Sequence, residues 1–392
     1  MKHSIDNYGG KLKVIFISNY FNHHQKEVSN SLFEKTKGNY NFAETIPFPE
    51  RRKSLGYRVE RDIDYVIDYT LKFEMLQAIE EADVIITGSA PEEIIRQQIN
   101  KNKIVFRYSE RPLKKGMEIF KFVPRLIKWH WMNPMSKPIY MLCASAFTSL
   151  DYGKFGLFKN HAYKWGYFPQ TKRYENIDSF LNSKNSTEIL WCGRFLDWKH
   201  PEHAIYVAEK LKDEGYSFSL KFIGTGEMED SLKSIVEEKG LQQYINFAGS
   251  MSPEKVRENM EKAGIYLFTS NRQEGWGAVL NEAMNSGCAV VASHIAGATP
   301  YLIKNNENGL VYESENIEIL YKKIKYLLDN PVRQKELGAK AYETIANVWN
   351  ADVASERFLN LASHIMAGEK QPDLYIDGPC SKAEIIHESW YK

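Results

Sequence analysis

Glu274 and Glu282 stand eight positions apart and bracket a Gly275-Trp276-Gly277 turn in the stretch Ser-Asn-Arg-Gln-Glu-Gly-Trp-Gly-Ala-Val-Leu-Asn-Glu-Ala-Met-Asn-Ser-Gly. Residues 265–269, before the turn, are an apolar strand-like run. A helix is expected from about Ala278 to Ser286, stopped by Gly287, with a second strand at 289–292. A strand, a glycine loop and a helix in that order leave free backbone N–H groups at the helix start, which suits an anion. A diphosphate fits there, and a carboxylate on each side can hold hydroxyls. The ligand class this names is a nucleotide joined to a polyhydroxylated group. Eight helical residues would put the two carboxylates about 80° apart, so they are not a catalytic dyad sharing one atom. Glu274 is expected in the loop and Glu282 one or two turns into the helix. As plain solvated charges they would mean nothing, and Trp276 reads as packing.

Two further segments gain meaning beside this one. Gly193-Arg194-Phe-Leu-Asp-Trp-Lys199 follows a strand-like run at 188–192. Alone, Arg194 and Lys199 read as surface charge; beside Glu274 and Glu282 they read as donors to the same phosphates, Arg as a planar fork and Lys as a compact charge. Gly224-Thr-Gly226 is half of a dinucleotide fingerprint and lacks the third glycine. It reads better as a tight turn that lets the backbone approach a ligand.

These segments sit in a regular alternation of strands and helices. In the second half, strands are expected at 188–192, 218–223 and 244–248, and helices at 201–214, 228–239 and 253–262. In the first half, strands are expected at 11–18, 83–87, 103–107 and 140–144, with helices near 25–35, 69–81 and 92–100. Alternation of this kind implies parallel sheets and right-handed crossovers. A chain of 392 residues exceeds one ordinary core. The expectation is two α/β domains, 1–175 and 186–349, joined by the polar segment 172–186, with a shared cleft at the strand C-termini. Residues 347–365 read as one amphipathic helix. Residues 367–392 carry no motif.

Composition narrows the class. Residues 1–170 hold 26 Lys and Arg against 18 Asp and Glu, while 171–392 hold 25 against 32. An acidic second half argues against general nucleic-acid binding, and the basic first half suits an anionic partner. Four scattered cysteines (Cys143, Cys192, Cys288, Cys380) show no metal spacing, and a reduced cytoplasmic setting is expected. Residues 1–10 lack the apolar core of a signal peptide, and no apolar run reaches the roughly 20 residues of a membrane span.

The combined pattern resembles the retaining GT-B glycosyltransferases of the glycosyltransferase group 1 family (family four). The resemblance lies in Gly193-Arg194…Lys199, Gly224-Thr-Gly226, Asn246-Phe-Ala-Gly249-Ser-Met251, Glu274-Gly-Trp-Gly…Glu282 through Gly287, Gly297…Pro300 and Asn308-Gly309. It is close over about 188–350 and looser over 11–170. It implies two Rossmann-like domains, the first binding acceptor and the second a nucleotide-sugar donor, with a final helix returning residues 350–392 to the first. Arg194 and Lys199 would neutralise the diphosphate, Glu282 would hold the ribose and Glu274 the sugar. The backbone of Gly193, Gly224, Gly226, Gly275, Gly277, Ala278 and Val279 would line the donor, with Met251 near the base. No metal or other cofactor is implied, since fixed cations and a helix terminus can stabilise the leaving diphosphate.

The first half departs from the family pattern. Asn19-Tyr-Phe-Asn22-His23-His24-Gln25 stands where relatives carry a Gly-Gly loop, so His23 and His24 are either structural or on the acceptor side. Arg107-Tyr-Ser109-Glu110-Arg111 replaces a later histidine, which makes Glu110 and Arg111 acceptor-side candidates. Residues 107–137 hold eight Lys or Arg, two Glu, and Phe120, Phe122, Trp129 and Trp131. That mixture suits either peripheral contact with anionic lipid or a charged loop over the cleft. Pro112, Pro124, Pro134 and Pro138 argue against one continuous helix there. The expectation is hexose transfer from a nucleoside diphosphate, UDP for preference, to a glycan or lipid-linked hydroxyl in cell-surface polysaccharide synthesis. The alternatives are a nucleotide-sugar epimerase or hydrolase, a non-catalytic partner of another transferase, and last a redox enzyme.

Overall fold

The computed structural model describes residues 12–49 and 63–391. The signal-peptide reading of residues 1–10 falls outside them. The described chain forms two compact units. One ends at Pro169 and includes Asn350–His387; the other spans Gln170–Trp349 and takes in the segment from Glu388.

The first unit is built on a seven-stranded parallel sheet. Its strands are β1 (Val14–Ser18), β2 (Tyr40–Glu44), β3 (Val66–Ile67), β4 (Val84–Thr87), β5 (Ile104–Ser109), β6 (Ile139–Cys143) and β7 (Ala162–Lys164), in the order β3-β2-β1-β4-β5-β6-β7. Every residue of β1, β4 and β6 is buried, as strands covered by helices on both faces require. The helices are α1 (His23–Lys35), α2 (Lys72–Glu81), α3 (Glu92–Asn100), α4 (Phe122–Met132) and α5 (Thr148–Gly153). In α3, Ile95 and Ile99 lie one turn apart and are buried, while Glu92 and Glu93 occupy the first turn, where the helix dipole favours anions. Pro124 falls in the first turn of α4, where its missing N–H breaks no helical bond, while Pro112, Pro134 and Pro138 lie outside it, so residues 107–137 are not one continuous helix.

The second unit carries a six-stranded parallel sheet, β8 (Asn185–Cys192), β9 (Ser219–Ile223), β10 (Ile245–Phe247), β11 (Ala263–Phe268), β12 (Ala289–Ser293) and β13 (Leu310–Tyr312), in the order β10-β9-β8-β11-β12-β13. Its helices are α6 (Ile177–Asn182), α7 (Pro201–Asp213), α8 (Glu229–Glu238), α9 (Pro253–Lys262), α10 (Ala278–Asn285), α11 (Thr299–Leu302), α12 (Ile317–Asp329) and α13 (Pro331–Asn347). The segment expected as a linker, 172–186, instead holds α6 and the start of β8. Its Lys184 ammonium donates to the carbonyls of Met260, Glu261 and Ser286 at 2.8–3.0 Å, satisfying the ends of α9 and α10.

The helix expected at 347–365 is one helix that begins four residues later. Asn350 caps α14 (Ala351–Met366) by accepting from Val353 N–H at 3.0 Å, and the chain turns at Val348-Trp349 before it. α14 packs on α1, where Ser355 Oγ donates to Val28 O at 3.3 Å, and Phe358 meets Phe106 at 5.0 Å. The tail after α14 covers an open sheet edge. Lys164 N–H donates to Ser381 O and Cys380 N–H to Lys164 O, each at 2.8 Å, so 380–383 run antiparallel to β7. The last residues depart from the expected return to the first unit. Trp390 Nε1 donates to His294 O at 3.1 Å and Glu388 pairs with Arg272 at 3.1 Å, so this segment belongs to the second unit.

One ion pair lies wholly inside the first unit. Arg111 and Asp151 have fully buried side chains, with Nη2–Oδ1 at 3.2 Å and Nε–Oδ2 at 3.3 Å; Asp151 also accepts from Leu113 N–H at 3.0 Å. Removing one partner strands the other charge. Asp151→Ala is therefore expected to cost about 3–5 kcal/mol in the urea unfolding of this unit. The double change Arg111→Met/Asp151→Leu should recover most of that loss.

Candidate functional site

In the second sheet the chain builds outward from β8 through β9 to β10, then returns to lay β11 on the other side of β8. The crevice at such a reversal, beyond the strand C-termini, is where open α/β sheets bind ligands. The two loops that flank it are 193–199 and 270–277, the ones singled out by their residues. Thr269 ties them together: its hydroxyl accepts from Trp191 Nε1 at 2.8 Å and donates to Lys199 O at 2.6 Å. Asn271 N–H also donates to Trp198 O at 2.9 Å.

The β9 loop closes against the β8 loop by backbone contact. A Cβ at Gly224 would lie 1.9 Å from Gly193 O, and one at Gly226 would lie 2.4 Å from Phe195 O. Gly193 N–H and Phe195 N–H donate to Ile223 O and Thr225 O, each at 3.0 Å. The glycines are thus needed for loop-to-loop approach, whereas sequence reasoning gave the reason as approach to a ligand. Met251 is half-buried beside them, its sulfur 3.5 Å from Asn259 Nδ2.

Lys199 and Glu274 meet directly. Nζ lies 2.5 Å from Oε2, both side chains are mostly buried, and Ser270 Oγ donates to the same oxygen at 3.0 Å. The sequence reading gave these two residues separate ligand groups and missed their mutual contact and the Ser270 support. Arg194 is different. It is exposed and has no hydrogen-bond or ion-pair partner among the described residues, so its guanidinium is available.

Glu282 lies in α10 with no side-chain hydrogen bond among the described residues. Burial pushes its carboxyl up to about 7, against a smaller downward pull from Arg257. The buried phenol of Tyr266 lies close enough to Cys192, Glu282 and Glu274 for their charges to raise it further, after burial itself. Both carboxyls therefore border one region at the ends of β8 and β11. Gly277 precedes α10 at φ 95°, and a Cβ there would lie 2.2 Å from the Phe268 ring. The turn after Gly275 so delivers the first-turn N–H groups of Ala278 and Val279, which have no intrahelical partner, to the same region. Trp276 is fully buried, donates to Asn281 Oδ1 at 2.8 Å and is packing, as expected.

His200, Glu202 and His203 bring three ligating atoms within 4.8 Å of one another, a grouping the sequence reading did not weigh. The two rings are stacked, 4.5 Å apart and 7° from parallel. Lone pairs in parallel planes do not converge on one ion. His200 Nδ1 is hydrogen-bonded to Glu202 Oε1 at 2.8 Å, and burial lowers His203 to about 4, so it is neutral. His200 and Glu202 form a hydrogen-bonded pair at the start of α7, with the His203 ring stacked on His200 and its Nε2 3.6 Å from Glu202 Oε1. His200 Nε2 also meets Asn271 Nδ2 at 3.2 Å.

In the first unit the acceptor-side candidates divide. His23 opens α1 and His24 stacks on Tyr167 at 5.2 Å; Tyr167 OH donates to Glu110 Oε1 at 2.6 Å, and Glu110 also pairs with Lys114. His24 and Glu110 thus share a cluster at the ends of β1 and β5. Arg111 does not join it. Its candidacy is corrected by the buried Asp151 pair, which faces the interior. A cavity of about 520 Å³ opens instead at the β1/β4 reversal, lined in part by Asn19, Thr87, Ser89, Glu92, Arg107 and Ser109. Arg107 there forks onto both Glu92 oxygens at 2.9 and 2.6 Å and donates to Asn133 Oδ1 at 3.0 Å.

Two parallel-sheet Rossmann-like units, the second with cations and a helix terminus at its strand reversal, define the GT-B class. The structure of HepE from Anabaena in complex with UDP overlays with a TM-score of 0.67 at 13% identity, covering 90% of this chain and all of that one. The galactosyltransferase WaaB of the lipopolysaccharide outer core gives 0.64 at 17% identity over 91% of this chain and 100% of that one. Residues 172–344, most of the second unit, match the family model of glycosyl transferases group 1. A poly(ribitol-phosphate) α-N-acetylglucosaminyltransferase of Staphylococcus aureus is 29% identical over 169 residues, 43% of this chain and 34% of that protein. A GDP-mannose-dependent phosphatidylinositol monomannoside mannosyltransferase of Corynebacterium glutamicum is 25% identical over 188 residues, 46% of this chain and 48% of that one. The chain's match thus spans less than half the length of either curated relative.

Glu282 gives this site a pH signature. Its folded pKa of about 7 lies above the ordinary carboxylate range, so the protonated form stabilises the fold at low pH and that contribution is lost as pH rises through 7. Glu282→Gln should therefore be more stable than the parent chain at pH 8, by up to about 3 kcal/mol, and nearly equal to it at pH 4.5. Chemical denaturation at both pH values checks this.

Proposed function

We propose that the protein is a retaining glycosyltransferase that moves a hexose-type sugar from a nucleoside diphosphate, preferably UDP, to a hydroxyl of a glycan or lipid-linked acceptor. The observation that carries this is the convergence, in a group 1 domain, of an available Arg194, the Lys199–Glu274 pair and the start of α10 at one strand reversal. The relatives named above that act on a polymer, a lipid-linked sugar and a lipopolysaccharide core support an acceptor in cell-surface glycoconjugate synthesis. The donor lies with its diphosphate against Arg194, Lys199 and the N–H groups of Ala278 and Val279. Glu282 accepts from the ribose hydroxyls in its ionised form.

Charge builds on the diphosphate as the bond to the sugar breaks. Arg194, the helix terminus and Lys199 oppose that charge, which makes a metal unnecessary in this reading. The acceptor hydroxyl attacks on the face from which the diphosphate leaves, and its proton passes to the departing phosphate oxygen. Glu274 holds sugar hydroxyls near the reacting carbon and keeps Lys199 in place from its other side. The first unit supplies the acceptor side, on the cytoplasmic face of a membrane.

Glu274→Gln keeps the shape and removes the charge that positions Lys199. It should lower kcat about 100-fold while donor KM changes less than threefold; unchanged kcat would remove Glu274 from this role. The donor reading is checked by thermal shift against a panel of nucleotide sugars. A true donor at 100 times its Kd should stabilise by about 2.7 kcal/mol, with activity unaffected by chelator.

A further inference from the structure

Helix α4 has two apolar faces, and the fold uses one. Phe122, Leu126 and Trp129 turn inward onto the core of the first unit, where Phe122 and Trp129 pack on the Phe155 ring at 4.9 and 4.6 Å. His130 Nε2 adds a bond to Phe155 O at 2.8 Å. On the other side, Ile119, Phe120, Val123, Ile127 and Trp131 are 89, 75, 59, 67 and 51% exposed. Phe120, Val123, Ile127 and Trp131 recur every three or four residues, so at about 100° per residue they form one stripe, roughly 130° around the helix from the buried face.

Charge on this segment is predominantly positive. Lys121, Arg125 and Lys128 form a row on a third flank, and Lys115 is exposed in the turn before it. Glu118 is the acidic residue between Lys114 and Trp131, and it pairs with Lys121 at 2.7 Å. Trp131 stands at the far end of the stripe, backed by the Arg96 guanidinium 4.7 Å from its ring. No helix among the described residues is long and apolar enough to cross a membrane.

We propose that this face of α4, with the turn before it, docks on an anionic lipid surface. The apolar stripe enters the boundary between headgroups and acyl chains while the cationic row lies along the phosphates. Exposed apolar rows of this extent are uncommon on free surfaces and mark a contact. A second copy of the chain is a poor occupant, because a two-fold contact would set the cationic row against itself. Loose aliphatic and aromatic side chains suit a fluid surface, and an indole at the edge suits the interface. The inference stands apart from the transfer chemistry. Failure to bind vesicles and failure to bind a nucleotide sugar are separate results.

The test uses the full chain and sedimentation with vesicles of phosphatidylcholine alone or with about a third phosphatidylglycerol, since the attraction scales with surface charge. Binding is expected to the anionic vesicles only, and to weaken in high salt. Lys121→Gln/Lys128→Gln should reduce partitioning about fivefold per removed cation. Phe120→Ser/Ile127→Ser should reduce it at least as much at every salt concentration. Unchanged thermal unfolding and nucleotide-sugar shift would show that both variants fold. Absence of binding to anionic vesicles overturns the proposal, as does equal binding by the Phe120→Ser/Ile127→Ser variant. A concentration-dependent dimer lost in that variant, with no vesicle binding, would assign the face to a second copy instead.

Discussion

The contact between Lys199 and Glu274 holds together everything else at the second unit's strand reversal. It joins the loop after β8 to the loop after β11, and Thr269 repeats the tie one layer deeper through Trp191 and the Lys199 carbonyl. A cation and a carboxylate this close in a mostly dry place are costly unless each is well satisfied. Ser270 adds a donor to the carboxylate, and the Trp198 ring lies 4.6 Å from the ammonium. The cation is thereby held at the C-terminal ends of the central strands. Arg194 stays outside this arrangement and is free to meet a ligand.

That arrangement depends on the parallel order of the sheet. Laying β11 beside β8 after the chain has gone out to β10 places the strand reversal between them, beyond whose C-termini open α/β sheets bind ligands. Glycines then let the loops around it close to backbone distance. Gly224 allows the β9 loop to rest on Gly193, and Gly277 lets α10 begin under the Phe268 ring. The helix start is thus aimed by sterics, and its unpaired N–H groups follow. Glu282, one turn further, is left in surroundings dry enough to raise its pKa.

The first unit repeats the topology with different chemistry at its reversal. There, Arg107 is tied to Glu92 and Asn133 around an open cavity, and Tyr167 links His24 to Glu110. Its outer helix α4 shows an unspent apolar face, so the two units differ in what they offer to solvent even though their sheets are alike.

Much of this was legible before any coordinates. The alternation of short apolar runs and helices was visible because parallel strands buried on both faces read as continuous apolar segments, as in Val84–Thr87 and Ala289–Ser293. Glu274, Glu282, Arg194 and Lys199 were recognisable because backbone turns and charges at fixed spacing are local features. The strands β2, β3, β7 and β13 were missed: β3, β7 and β13 are two or three residues long, and β2 (Tyr40–Glu44) is interrupted by Asn41 rather than continuously apolar. Arg111 and Arg107 could not be told apart by type or position; only the fold decides which arginine meets a buried aspartate and which meets a cavity. The same holds for Lys199 and Glu274, 75 residues apart in the chain, whose contact exists because β8 and β11 are neighbours. Sequence by itself determined the elements, the glycine turns and the kinds of charge available, since these follow from local backbone and burial patterns. Which charges meet, which are buried and which remain open was decided by tertiary structure alone, because pairing and desolvation arise only once distant segments pack.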